Sequence, residues 1–198
     1  MVSSVPLSAL LTAVFVATGC LALARWAALW AGLSPHGDQV AELSHLTMSL
    51  AMVAMLWAYG GPAGSVVQIV AFTGFAGYFV DRLVRRRAFA GRHTCPAVEY
   101  HLMMSMTMIW MVAGMPVLMA GTRGAARGWA MALTVASVGA LLTAAVFWAA
   151  RAVRGRSARL VTVGASSHRV AAALNPRPEA VCHLAMSLGM ATMFLAMV

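Results

Sequence analysis

Long apolar stretches constrain the fold of this chain more than any other feature of its sequence. Six segments are long and apolar enough to cross a bilayer as helices, which takes about 20 residues each. They lie at about 5–31, 39–60, 64–84, 96–120, 125–152 and 178–198, separated by glycine, proline and arginine. Apolar residues make up 62% of the chain and charged residues only 10%, which excludes an ordinary soluble domain. We therefore predict an all-α membrane protein in which residues 1–198 form a single six-span transmembrane domain within the lipid bilayer.

The charge of the chain is strongly positive, and all 14 basic residues are arginine. In a soluble protein this balance would suggest a nucleic-acid partner, but here the arginines lie between apolar segments, so we expect no nucleic acid. Twelve of them fall on the side of the membrane that holds the connections after the first, third and fifth segments, and two fall on the side of the termini. The positive-inside rule then predicts a plasma-membrane protein with both termini outside the cytoplasm.

A histidine–methionine motif, H-L-x-M-S-x-x-M-x-x-M, recurs in the second, fourth and sixth segments. At about 100° per residue, its histidine and three methionines form one stripe about 80° wide, which we call the seam. The recurrence predicts three two-helix repeats, whose three seams face one another around a pseudo-threefold axis. The seam residues are His45, Met48, Met52, Met55, His101, Met104, Met108, Met111, His183, Met186, Met190 and Met193.

The chemistry of the seam favours a soft monovalent metal ion. Thioethers select Cu(I) over hard cations and over Zn(II), and because they carry no charge they can release the ion again, as a row of transfer sites requires. A neutral imidazole layer at the cytoplasmic end can take up the same ion. One methionine stripe alone is explained by core packing, since methionine fills irregular gaps. Sulfur at all nine methionine positions of three copies favours metal binding, and we predict these twelve residues to be the metal ligands.

Eight further residues lie beside the seam or at its predicted cytoplasmic mouth. The three glutamates precede the histidines and would orient the rings or attract cations. The three serines follow the histidines by one turn and would either bond back to the backbone or line the bore. A histidine and a cysteine ahead of the fourth segment could hand on Cu(I). These residues are Glu42, Glu99, Glu179, Ser49, Ser105, Ser187, His93 and Cys95.

Two resemblances accompany these patterns. The motif helices and the arginine-only, alanine-rich composition resemble an uncharacterised actinobacterial family of multi-span membrane proteins with a domain of unknown function, which implies no activity. The M-x-x-x-M steps are similar to the methionine selectivity filter of Ctr-type copper transporters, in which three protomers each contribute one such helix. That resemblance implies Cu(I) chemistry. Here one chain would supply all three helices, so oligomerisation is not required. The steps are Met48/Met52, Met104/Met108 and Met186/Met190.

We predict a Cu(I)-binding membrane protein, not an enzyme, that conducts or relays copper along the central axis and accepts Ag(I) as an equivalent. An alternative is a Cu(I) store or metallochaperone that works with a copper chaperone or a membrane cuproenzyme. Capping of the outer end by Trp57, Tyr59 or Trp110 would favour storage. A third alternative is a haem-binding redox subunit with His or His/Met axial ligands. The sequence contains no nucleotide-binding loop and no nucleophile triad, which argues against hydrolytic or ATP-driven chemistry.

Overall fold

The computed structural model describes residues 5–32, 38–57, 61–90, 96–119, 125–157 and 176–196. Six helices account for nearly all of these residues, which confirms the predicted all-α class. The predicted mouth residues His93 and Cys95, and the predicted cap Tyr59, lie outside the described residues. The helices are α1 Val5–Trp30, α2 Gln39–Leu56, α3 Gly61–Ala90, α4 Pro96–Met119, α5 Ala125–Ser157 and α6 Pro176–Leu195.

Two helices continue well beyond the apolar stretches that predicted them. α3 runs on to Ala90 and α5 to Ser157, whereas the apolar segments end near residues 84 and 152. A helix does not have to end where its apolar stretch ends, because polar side chains one turn apart can stabilise its continuation. In α3 the Arg85 guanidinium pairs with the Asp81 carboxylate at 2.8 Å, with both side chains exposed.

The starts of the seam-bearing helices carry residues suited to a helix N-terminus. Asp38 caps α2, because its carboxylate accepts a hydrogen bond from the Val40 N–H at 3.0 Å. α4 and α6 begin at Pro96 and Pro176, where the missing N–H of proline would have had no intrahelical partner. α2 ends at Leu56, four residues earlier than predicted.

Four of the helices are long and apolar enough to cross a membrane, which indicates a membrane protein. The apolar part of α6, Glu179–Leu195, is shorter. Large apolar side chains such as Leu10, Val67 and Val146 are exposed on the outside of the bundle, as contact with lipid would require. The four ranges are Val5–Trp30, Gln39–Leu56, Gly61–Arg85 and Arg127–Arg154.

Each odd-numbered helix packs most extensively on the helix that follows it, giving the pairs α1–α2, α3–α4 and α5–α6. α1 and α2 are antiparallel. Near the end of α1, Arg25 contacts Glu42 at the start of α2. At the opposite end, the Trp57 indole N–H donates to the Thr12 hydroxyl at 3.0 Å. α1 meets α6 in the same sense, with Arg25 beside Glu179 near the start of α6 and Phe15 beside Gly189 further along, so α2 and α6 run in the same direction.

The seam lies inside the bundle. Met111 and Met193 are 1% and 4% exposed, and Met55 packs partly buried against the same core. Aromatic and aliphatic residues from α1, α3 and α5, including Phe15 and Phe72, complete this core. The other six seam methionines are fully buried: Met48, Met52, Met104, Met108, Met186 and Met190.

A glycine allows α1 to approach α6 closely. A Cβ atom built on Gly189 would lie 2.6 Å from Cζ and 2.9 Å from Cε1 of Phe15. The Phe15 ring is itself fully buried, so it has little room to move away. Replacement of Gly189 by any larger residue must therefore displace either the ring or a helix.

We expect Gly189→Ala to destabilise the folded protein by about 1–3 kcal/mol, the usual range for overpacking a well-packed core. Unfolding of the detergent-solubilised protein by heat or denaturant would measure the change. Gly139→Ala in α5 is the control, because Gly139 is exposed and its added Cβ would meet nothing within 4 Å. Equal unfolding midpoints for the two variants would show that the Phe15 contact does not limit the packing.

Candidate metal centre

The three histidines of the seam come together from α2, α4 and α6. One ring nitrogen from each of His45, His101 and His183 lies within 4.8 Å of the others. The ring centroids are 4.7, 4.7 and 5.3 Å apart. All three side chains are buried, with exposures of 5%, 5% and 1%. We call this group the histidine cluster.

Hydrogen bonding leaves lone pairs available within the histidine cluster. His101 Nδ1 lies 2.5 Å from the Ala97 carbonyl, which can only accept, so Nδ1 carries the proton and Nε2 keeps its lone pair. His45 Nε2 and His183 Nδ1 are buried and have no hydrogen-bond partner among the described residues. A buried polar atom without a partner costs about 1–3 kcal/mol. A bound ligand would remove that cost at both nitrogens.

The separation of these nitrogens fits a metal ion after small side-chain movements. Imidazole nitrogen binds first-row d10 ions such as Zn²⁺ at about 2.0–2.1 Å, and three such bonds around one ion place the nitrogens about 3.5 Å apart. The observed upper limit of 4.8 Å exceeds this by little more than 1 Å. The three imidazoles would have to move closer together by about that amount to bind one ion.

Aromatic side chains surround the histidine cluster. The Trp148 ring lies 4.2 Å and the Tyr100 ring 4.5 Å, centroid to centroid, from the His183 ring. Phe79 lies 5.1 Å from His101 in the same way. These rings limit the access of water to the imidazoles and restrict their rotation. A site enclosed in this way strengthens any electrostatic interaction inside it.

Tyr100 also anchors the backbone that carries His183. Its hydroxyl donates to the His183 carbonyl at 2.9 Å and lies 3.0 Å from the Ser187 hydroxyl. Neither Tyr100 nor Trp148 was predicted from the sequence to belong to the site. Tyr100 directly precedes a motif histidine, but the equivalent residue is serine in the second segment and cysteine in the sixth. Because tyrosine does not recur at this position, the motif gives only a weak signal for it.

The three serines of the motif make three different contacts. Ser105 donates to the His101 carbonyl at 2.8 Å within its own helix. Ser49 lies 3.3 Å from the Thr18 hydroxyl of α1, and Ser187 contacts Tyr100. These hydrogen bonds join neighbouring helices or turns, so they correspond to a packing role of the serines rather than to a lining of the bore.

Two of the three glutamates pair with an arginine instead of orienting the rings. The Arg25 guanidinium contacts the Glu42 carboxylate at 2.9 Å and the Glu179 carboxylate at 3.3 Å. A charge-assisted bond to a guanidinium is stronger than one to a neutral imidazole, which explains the preference. Glu99 is partly buried and makes no ion pair within the described part of the chain.

A further ionic contact joins the start of α2 to α3 at the same end of the bundle. Asp38 contacts the Arg82 guanidinium at 2.6 Å and accepts a hydrogen bond from the Tyr78 hydroxyl at 3.1 Å. Partial burial would by itself raise the pKa of Asp38, but these partners together hold that pKa below its usual value. Asp38 therefore stays ionised at neutral pH and keeps its role as helix cap.

The three histidines of the cluster could hold a metal ion, and buried methionines follow them on the same helices. Along each helix, the histidine and the three methionines of the seam lie roughly 4.5, 6 and 4.5 Å apart. Each histidine is therefore followed by methionines at three successive depths. Neither the imidazoles nor the thioethers add a formal charge. The structure thus combines a candidate three-nitrogen site with buried sulfur on the same three helices.

Comparison with known proteins identifies a family but no activity. No curated protein and no solved structure matches the chain. A family model matches residues 37–197, a range that contains α2 to α6 and all three histidines of the cluster. The chain therefore belongs to the family described as a domain of unknown function, DUF5134.

Proposed function

We propose that this protein binds Cu(I) at the histidine cluster and conducts it along the seam. One observation carries the proposal: two unpartnered imidazole nitrogens, on His45 and His183, are buried in a three-histidine cluster. Burial of such polar groups in a membrane-embedded bundle costs free energy, and a bound ligand offsets that cost. A metal ion supplies that ligand.

The methionines, rather than the histidines, favour Cu(I) over other metals. Three histidines with an open fourth position also suit Zn(II). Buried thioethers one turn deeper add nothing to a Zn(II) site, whereas they are good ligands for Cu(I) and Ag(I). The similarity of the M-x-x-x-M steps to the filter of Ctr-type transporters points to the same ion. No chemical transformation is part of the proposal, so we expect no enzymatic activity.

We further propose that all six helices cross the membrane as three repeats around a pseudo-threefold axis. The packing of α1 on α2, α3 on α4 and α5 on α6 supports this arrangement, as does the convergence of equivalent histidines from three helices. α4 and α6 carry histidine and serine side chains within their apolar stretches. Several of these polar side chains point into the bundle, where lipid does not meet them.

The arginine distribution supports an orientation for the proposed path. Arg25 and Arg82 contact the start of α2, and Arg151 lies over the Trp148 ring beside the histidine cluster. The arginine-rich end of the bundle is thus the histidine end, and the positive-inside rule assigns it to the cytoplasm. We therefore propose a plasma-membrane protein with both termini outside, whose histidine cluster faces the cytoplasmic side.

Two tryptophans bear on the choice between conduction and storage. Trp57 donates its indole N–H to α1, and Trp110 donates to Thr134 of α5 at 3.2 Å. Both contacts are directed toward outer helices rather than across the seam, which favours an open path. Phe194 favours storage with delivery to a cuproenzyme instead. This bulky residue is 1% exposed and directly follows the last methionine of α6, where it would cap the outer end.

The haem alternative receives no support from the packing. A haem would have to lie between its axial ligands. The three imidazoles instead contact one another directly, and His45 stacks on His101 with the ring planes inclined by only 26°.

Metal analysis tests the proposal. We expect the purified protein to take up at least one Cu(I) or Ag(I) per chain, and we expect excess Zn(II) not to displace it, because thioethers and a neutral site disfavour the harder divalent ion. Equilibrium dialysis followed by elemental analysis measures both. Zinc bound as tightly as Cu(I) would contradict the assignment of the metal, and no metal bound at all would contradict the site.

A further inference from the structure

An ionic group of three side chains lies beside the histidine cluster. Arg25 of α1 joins Glu42 of α2 to Glu179 of α6, with contacts of 2.9 and 3.3 Å. The side chains of Arg25 and Glu42 are only 15% and 12% exposed, and that of Glu179 is 35% exposed. We call this group the Arg25 triad.

The Arg25 triad lies one helical turn from the imidazoles. Glu42 precedes His45 by three residues, and Glu179 precedes His183 by four. These offsets place each carboxylate on the same side of its helix as the histidine and roughly 4.5–6 Å nearer the cytoplasmic end. A cation held by the unpartnered nitrogens of His45 and His183 would therefore have the triad as its nearest buried charges.

The formal charge of the triad matches a monovalent ion. With both carboxylates ionised, the two carboxylates and the guanidinium sum to −1, whereas neutral imidazoles and thioethers sum to zero. A bound Cu(I) would otherwise be an unpaired positive charge in a site shielded from water, which is strongly unfavourable. A divalent ion would keep one unpaired charge even with the triad present.

Three other charged groups that the structure describes at this end are placed less favourably to act on the site. Arg151 is exposed, with its guanidinium over the Trp148 ring. Asp38 is already paired with Arg82. Glu99 precedes His101 by two residues, an offset of about 200° that places it on the opposite side of α4 from the ring.

Building on the proposed Cu(I) function, we propose that the Arg25 triad is the counter-charge of the metal site, and that Arg25 sets its selectivity for monovalent over divalent ions. Arg25 reduces the charge of the two carboxylates from −2 to −1. The site then favours an ion of charge +1 and leaves one of charge +2 uncompensated. Arg25 acts here as a specificity-determining residue that does not touch the ion.

Two substitutions change the charge of the triad in opposite directions. Glu179→Gln makes it neutral, and we expect the affinity for Ag(I) to fall about 30-fold, as a unit charge roughly 8 Å away contributes at an effective dielectric constant of about 20. Arg25→Gln makes it −2, and we expect the ratio of Zn(II) to Ag(I) affinity to rise by a similar factor. Equilibrium dialysis of the purified full chain against each ion measures both.

Asp81→Asn is the matched control. It removes the same charge from an exposed ion pair on α3 at the same end of the bundle. We expect its Ag(I) affinity to stay within about twofold of the parent. Glu42→Gln repeats the neutral triad, so the test stands if one variant does not fold. A parent protein that binds no Ag(I) would overturn the proposed function itself. A parent that binds Ag(I), with triad variants no different from Asp81→Asn, would overturn only the counter-charge inference.

Discussion

Replacement of Met52, Met108 and Met190 together by leucine is expected to leave the bundle folded and to reduce copper flux to background. All three side chains are fully buried, and leucine nearly conserves their volume, so each change should cost less than about 1.5 kcal/mol of stability. The variant has no ligand in the middle of the seam. An ion would then have to cross roughly 10 Å between the remaining methionine positions.

Copper or silver flux into proteoliposomes, together with the metal content of the purified protein, measures this effect. The control replaces Met103, Met106 and Met131 by leucine, because these methionines lie off the seam and Met106 is 54% exposed. A folded seam variant with unchanged flux and unchanged metal content would reduce the seam to core packing. Loss of flux with metal content retained would favour conduction over storage.

The second large effect is expected from His45→Phe combined with His183→Phe. Phenylalanine keeps an aromatic ring beside Tyr100 and Trp148 but removes the two nitrogens that lack hydrogen-bond partners. Without metal, the variant should therefore be as stable as the parent or more stable, because a buried unsatisfied polar atom is costly. With metal, it should lose the stabilisation that binding gives the parent.

That stabilisation is large enough to measure. A ligand present at about 1,000 times its dissociation constant stabilises the folded state by about 4 kcal/mol. Unfolding midpoints with and without Ag(I) would show this shift in the parent and its absence in the double variant. Trp148→Phe is the control, since it alters the aromatic surroundings but keeps all three histidines. Equal stabilisation of the parent and the double variant by Ag(I) would exclude the histidine cluster as the binding site.

The helices and the inward direction of the seam follow from local properties of the chain. A helix repeats every 3.6 residues, so the offsets between His183, Met186 and Met190 place them on one side of α6 wherever that helix packs. The motif recurs in α2 and α4, and apolar length separates the helices. For these reasons the all-α class and the candidate ligand positions could be predicted, and eight of the nine seam methionines are in fact buried.

The surroundings of the histidine cluster depend on contacts that no local pattern contains. Arg25 meets Glu179 across 154 residues of chain, and Tyr100 meets His183 across 83. Hydropathy and helical periodicity describe one helix at a time. They therefore assigned Arg25 to membrane topology and the three glutamates to orienting the imidazole rings or attracting cations at the mouth. Only the packing of α1 against both α2 and α6 brings the guanidinium between the two carboxylates. A charge inside a bundle forms an ion pair with whichever opposite charge the neighbouring helices place beside it.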